Sequence, residues 1–208
     1  MRRPVLPFAA AMLAAAVSLS ACGDDGGTAG GSIDGAKSGN EAETPSPSSS
    51  PAPKFVYPGN FKVVVDANAT GDKAKDAVLR DHGFALQAMM EGYAQAKVTT
   101  NFERYWTGVA YSGYAKDFRM FKKLDRGMGG TNRFYKRKVA HLKGAKARVV
   151  FCEDQSKGYA TDRNTGKRVK AGSDDPSDWV RLYSVWLAKQ GSRWVVTQST
   201  WVKGGTSC

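Results

Sequence analysis

The chain is poor in the residues that most often carry chemistry. Its 208 residues include only three cysteines and two histidines. Neither His82 nor His141 stands at ligand spacing from a cysteine, so no metal is expected. Gly127-Met128-Gly129-Gly130 lacks the Lys-Ser/Thr that would make it a phosphate loop and reads as a helix-to-strand turn. Asp174-Asp175-Pro176-Ser177-Asp178 matches no calcium loop. No catalytic motif and no cofactor signature appear. Acidic residues are outnumbered, 19 against 31 Lys and Arg, and none falls between Arg133 and Arg148. There is also no apolar run of the roughly 20 residues that a membrane-spanning helix needs.

One shorter apolar stretch is present, from Val5 to Ala21, behind Arg2 and Arg3. It ends in Leu19-Ser20-Ala21-Cys22, with small residues ahead of the cysteine. This arrangement resembles a bacterial lipoprotein signal with its lipobox. The resemblance implies cleavage before Cys22, lipid on that cysteine and a place on the extracytoplasmic face of the cell membrane. An ordinary secretory signal cut near Ala21 is the alternative. Two or more acyl chains, at about 0.8 kcal/mol per buried methylene, would anchor a protein stably.

Residues 22–53 read as a linker. Apart from Ile33 they hold no large apolar side chain, and they pass from glycines into the Thr44–Pro53 run rich in Pro and Ser. Such a segment buries too little surface to offset its chain entropy, so disorder is expected. Residues 54–208 are long enough for one domain with a real core. The whole chain carries +12; residues 1–21 hold +2 and residues 22–53 hold −4, which leaves the domain +14. That charge favours anionic partners such as headgroups or wall polymers. Nucleic acid is not expected for an exported chain.

With Cys22 assigned to lipid, Cys152 and Cys208 remain as an even pair in an oxidising compartment. A bond between them would close a loop of 56 residues and contribute about 4 kcal/mol in the chain-entropy account. Two free thiols are the alternative.

Helices come first. Ala74 to Ala96 follows helical spacing, with Thr70 or Asp72 as cap and a bend expected at Gly83 or Gly92. Thr100 to Glu103 fits a capping box for a short helix. A third helix is expected from Tyr111 to Arg126, stopped at Gly127. Strands follow at 136–142, 145–154, 179–188 and 193–202, joined by turns at Lys143-Gly144 and Lys189–Ser192, with another turn at Asn164-Thr165-Gly166. The last hairpin is apolar on both faces, so its second face is expected to be covered by a loop, a partner or another copy. This is an α+β plan, N-terminal helices packed on a curved antiparallel sheet.

The order of elements resembles the cone-shaped nuclear transport factor 2-like superfamily, and more narrowly a group of actinobacterial lipoproteins and secreted proteins. The residues carrying the narrower likeness are Asp76–Asp81, Ala147–Ser156, Asp162–Lys167, Gly191–Val196 and Cys208. The resemblance implies a cone with a pocket and a homodimer formed through the sheet. The superfamily also includes ketosteroid isomerases and polyketide cyclases, so an enzyme or small-molecule carrier is the alternative to a non-enzymatic binding or assembly role; fold does not choose between them.

An enzyme of this shape needs an acid or base inside the cone. Asp81 is the weak candidate, because it falls on the apolar stripe of the first helix, with His82, Tyr93, Tyr105 and Asp117 as assistants. Asp81 paired with a basic residue and His82 simply exposed is the plainer expectation. Tyr105, Trp106, Tyr111, Tyr114, Phe118 and the sheet tryptophans Trp179, Trp186, Trp194 and Trp201 are core or pocket lining. Arg133, Lys136, Lys138, Lys143, Lys146 and Arg148 are polyanion-binding candidates. Arg137 is expected to point away from the face that Lys136 and Lys138 share. A lysine-guarded edge strand is the bland alternative.

Overall fold

The computed structural model describes residues 52–169, 175–204 and 207–208. The expected signal, the lipobox Leu19–Cys22 and all but Ala52 and Pro53 of the linker lie outside the described residues, as does Asp174.

Helix α1 (Lys73–Gln95) opens on Asp72, whose carboxylate accepts the N–H groups of Ala74 and Lys75. Ala96 closes it in the left-handed conformation. Gly83 and Gly92 are there for close approach. A Cβ on Gly92 would collide with the Phe118 ring, and one on Gly83 would meet the Arg137 guanidinium at 3.0 Å. The short α2 (Thr100–Tyr105) is capped by Thr99, one residue before the expected cap, through the N–H of Phe102. Helix α3 (Gly108–Lys123) starts and stops three residues earlier than expected. Its last turn holds Lys122 and Lys123, which suit the negative end of the helix dipole.

The expected stop at Gly127 is a strand residue. Asp125, at φ 49°, makes the reversal, and β2 (Arg126–Lys143) begins at once. The four-residue Gly127–Gly130 stretch is therefore sheet rather than turn. Strand β3 is Lys146–Asp162, β4 is Val180–Gln190 and β5 is Arg193–Lys203. A further strand, β1 (Phe61–Val65), was not expected. It precedes the helices and pairs with β2 in parallel, so the sheet is mixed rather than antiparallel throughout. Strand order follows chain order from β1 to β5. The Gly144, Gly166 and Gly191 turns stand where they were expected, each glycine at positive φ.

Three register shifts interrupt the β2–β3 ladder. One spans Tyr135 to Lys138 and puts Lys136 at φ 50°. Bulges bend and twist a strand and re-aim its side chains. Arg137 accordingly turns inward, donating to Leu79 O at 2.8 Å and Asp66 O at 3.1 Å.

The helices cover one sheet face. Val78, Leu79, Ala85, Leu86 and Met89 of α1 meet Phe102, Trp106, Phe118, Phe134, Val149, Phe151, Val185, Leu187 and Val196 in the core. Trp106 Nε1 donates to Ala85 O at 2.8 Å, so its ring is both packed and paired. Part of the other face is covered by the chain's own end. Cys208 is bonded to Cys152, and Gly204 N donates to Val180 O at 2.9 Å. Tyr135 Oη and Lys136 Nζ both donate to Cys208 O.

Candidate functional site

Between the inner sheet face and the helices lies a cavity of about 280 Å³. Its apolar wall is built from Met89 and Met90 of α1, Phe121 of α3 and Met128 of β2. Tyr93, Tyr114, Tyr159, Tyr183 and Trp179 add rings that carry polar groups. Asn132, Glu153, Gln155 and Arg181 complete the lining.

Glu153 is the residue that marks this cavity as a site. Along β3 the inward positions alternate as Ala147, Val149, Phe151, and Glu153 is next in phase. It is 2% exposed. Asn132 Nδ2 donates to Oε1 at 3.0 Å, while Oε2 has no hydrogen-bond partner. Burying an unpaired carboxylate oxygen is costly, so it is uncommon without a reason. The other two buried carboxylates among the described residues are satisfied. Glu91 accepts from Val56 N, Thr99 Oγ1 and Asn101 Nδ2, which fastens the entering chain to α1 and α2. Asp81 accepts from Arg80 Nε and Trp194 N, both at 2.9 Å.

Arg181 stands beside Glu153 across the β3–β4 ladder and lines the same cavity. Its guanidinium lies over the Trp201 ring, 4.3 Å from the centroid. Burial works against its charge, but the hydrogen bond to Tyr183 and the nearby Glu153 carboxylate hold it more firmly protonated than usual. Its Nε has no partner. The cavity thus brings together a carboxylate and a guanidinium, each with an unpaired atom.

Burial keeps the neighbouring phenols neutral. Tyr114 is pushed up to about 12, against the lowering effect of its hydrogen bond with Ser199. Tyr183 and Tyr93 are raised further, first by burial and then by Glu153 and Tyr114 respectively. Tyr93 Oη donates to Asp117 Oδ2 at 3.0 Å.

The expected residues are divided among different places. Asp81 and His82 do not line the cavity, and Asp81 acts as a tie between α1 and β5. His82 is fully buried rather than exposed, 4.7 Å from the Phe151 ring, with neither ring nitrogen paired. Tyr105, Trp106, Phe118 and Trp194 are core. Tyr93, Tyr114 and Trp179 reach the cavity, while Trp186 and Trp201 are exposed. Glu153, Asn132 and Arg181 went unrecognised as site residues, although the alternation along β3 carried the signal for Glu153. Of the basic candidates, Arg133 pairs with Asp66 at 2.6 Å and Lys136 is held by Cys208 O. Lys138, Lys143, Lys146 and Arg148 remain together on the outer face. Among the described residues no group of three or more His, Cys, Asp or Glu could hold a metal ion.

Among the described residues the fold is a mixed α+β arrangement of three helices on an open five-stranded sheet. No protein-family model matches the chain, and no curated protein matches it. Solved structures with a similar arrangement include an NTF-2 like protein of unknown function from Shewanella oneidensis. It is 16% identical with a TM-score of 0.35, over 58% of this chain and 95% of that one. A candidate ketosteroid isomerase from Shewanella frigidimarina is 13% identical with a TM-score of 0.31, over 68% and 99%. The intermembrane space region of the chloroplast protein ARC6 is 7% identical with a TM-score of 0.38, over 61% and 96%. At these identities and scores the likeness carries no argument about activity.

Proposed function

We propose that this chain is a lipid-anchored protein of the extracytoplasmic face of the cell membrane, with a nuclear transport factor 2-like domain that binds a small molecule without transforming it. The observation carrying the binding role is the cavity with Glu153 and Arg181 side by side in its wall. A compact ligand with a polar end, such as an amide or a lactam, would set that end against Asn132, Glu153 and Arg181. Its body would pack on the methionines and rings. About 280 Å³ is at the small end for ligand pockets, which suits a single ring system. Among the described residues, the lining holds no serine, cysteine, histidine or lysine. A second reading, proton transfer with Glu153 as base, is favoured by the unpaired Oε2.

Native mass spectrometry of the protein isolated from its source cell tests the binding role. The expected result is a mass above that of the polypeptide and its acyl groups, with the excess lost in Ala160→Leu, which narrows the cavity. Natural protein at the bare mass, with no small molecule retained, overturns it. Conversion of the released molecule on incubation with fresh protein, abolished in Glu153→Gln, would establish the catalytic reading instead. The anchor is tested separately: labelling of growing cells with a fatty acid is expected to mark the protein and to be lost in Cys22→Ala, and an unlabelled natural protein counts against acylation at Cys22.

A further inference from the structure

The outer sheet face carries a basic surface that the cavity does not explain. On β2 and β3 the inward residues Val139, Leu142, Ala147 and Val149 enter the core or pack on it. The residues between them point the other way. Lys138 lies opposite Val150, His141 opposite Arg148, and Lys143 opposite Lys146. Arg148 in turn lies opposite Trp186 of β4, with its guanidinium 5.8 Å from the indole centroid. His141 approaches the same indole from the side, at 5.8 Å. Trp186 is 37% exposed. The result is an exposed tryptophan with Arg148 over its ring, on a sheet face that also carries Lys138, Lys143 and Lys146. No acidic residue occurs from Arg126 to Cys152 or from Trp179 to the end of the chain, so β2, β4, β5 and the first part of β3 bring no side-chain carboxylate to this surface.

We infer that this outer face, Lys138, His141, Lys143, Lys146, Arg148 and Trp186, docks on an anionic lipid bilayer. Lysine and arginine near an anionic leaflet attract it, and tryptophan settles at the boundary between headgroups and acyl chains. The surface combines the two. Its geometry also agrees with a tether at Cys22. The chain enters the domain on the helical side, where Asn101 Nδ2 donates to Lys54 O. Residues 23–53 can reach about 100 Å when extended, well beyond a domain of about 15 Å radius of gyration. That length leaves the opposite face free to meet the membrane, and where Cys22 is acylated, as proposed above, a weak contact there becomes an intramolecular one at high effective concentration.

The test uses the chain from residue 22 on, carrying Cys22→Ala, so that neither the apolar signal nor acylation contributes, and vesicles of phosphatidylglycerol or of phosphatidylcholine. Binding to the anionic vesicles is expected, weakening with added salt. Lys138→Gln, Lys143→Gln and Lys146→Gln are each expected to weaken it about five-fold, and the three together about a hundredfold. Trp186→Ala is expected to weaken it as well. The α3 set Lys116→Gln, Lys122→Gln and Lys123→Gln removes the same charge from the helical side and is the control; it should change binding far less. Equal losses in the two sets would show unspecific attraction and overturn the proposal. So would undiminished binding in the outer-face set, or binding to soluble polyphosphate without binding to vesicles, which would make a wall-type polymer the partner. Because the variants leave Glu153 and Arg181 in place, these outcomes are separate from those for the cavity.

Discussion

Asp81 Oδ2 accepts the backbone N–H of Trp194 at 2.9 Å, joining residues 113 apart. The bond ties the middle of α1 to the start of β5 inside the core. Asp81→Ala leaves a buried N–H unpaired, a loss of about 1–3 kcal/mol. The midpoint of urea unfolding should fall with little change in the m-value.

His82 is held well below its ordinary value of 6.5, first by burial and then by the Arg137 charge. The folded protein keeps this ring neutral while the unfolded chain protonates it below about pH 6.5. The unfolded state therefore binds more protons there, and stability falls as pH drops below 6.5. The limiting slope is about 1.4 kcal/mol per pH unit. Urea melts between pH 7 and pH 5 should show it, and His82→Leu should flatten it. Asp66 is held low by its Arg133 hydrogen bond and Asp162 by its bonds to Thr165, so these carboxylates act only at more acidic pH.

Gly92→Ala should destabilise the protein. Helix propensity alone favours alanine by about 1 kcal/mol. A Cβ here collides with the Phe118 ring, however, and displacing a packed ring typically costs 1–3 kcal/mol. A lower thermal midpoint is the expected sign, and a higher one would show that the ring yields freely. Gly83→Ala meets the Arg137 guanidinium at 3.0 Å, a tight contact rather than an overlap, and should cost less than Gly92→Ala although Arg137 is held by its bonds to Leu79 O and Asp66 O.

The Cys152–Cys208 bond fixes the chain's end on the outer face of β3. Alkylation of the unfolded Cys22→Ala protein should add no group without reductant and two groups after it. Cys208→Ser should lower stability by about 2–4 kcal/mol.

Some of this was readable from the sequence because it depends on local spacing. The α1 stripe follows the helical period, and the Gly144 and Gly191 turns announce their hairpins. Asp81 was rightly placed on a buried stripe, but its partner is 113 residues away, and no spacing rule could supply it. The same holds for β1, a five-residue strand whose parallel partner lies beyond all three helices. The first half of β2 contains Gly127, Gly129, Gly130 and Asn132, residues with poor strand propensity, and becomes sheet because β3 and β1 pair with it. Glu153 is a different case. Continuing the period-two phase from Ala147 through Phe151 would have placed a carboxylate on an apolar face, where a charge calls for an explanation.

Trp179 stands in the cavity wall, in the 3-10 turn Pro176–Trp179 that leads into β4. Any occupant would change the polarity around its indole, so the molecule carries its own optical gauge of occupancy. Screening by intrinsic fluorescence then needs no label, and Trp179→Phe would mute the response at its source.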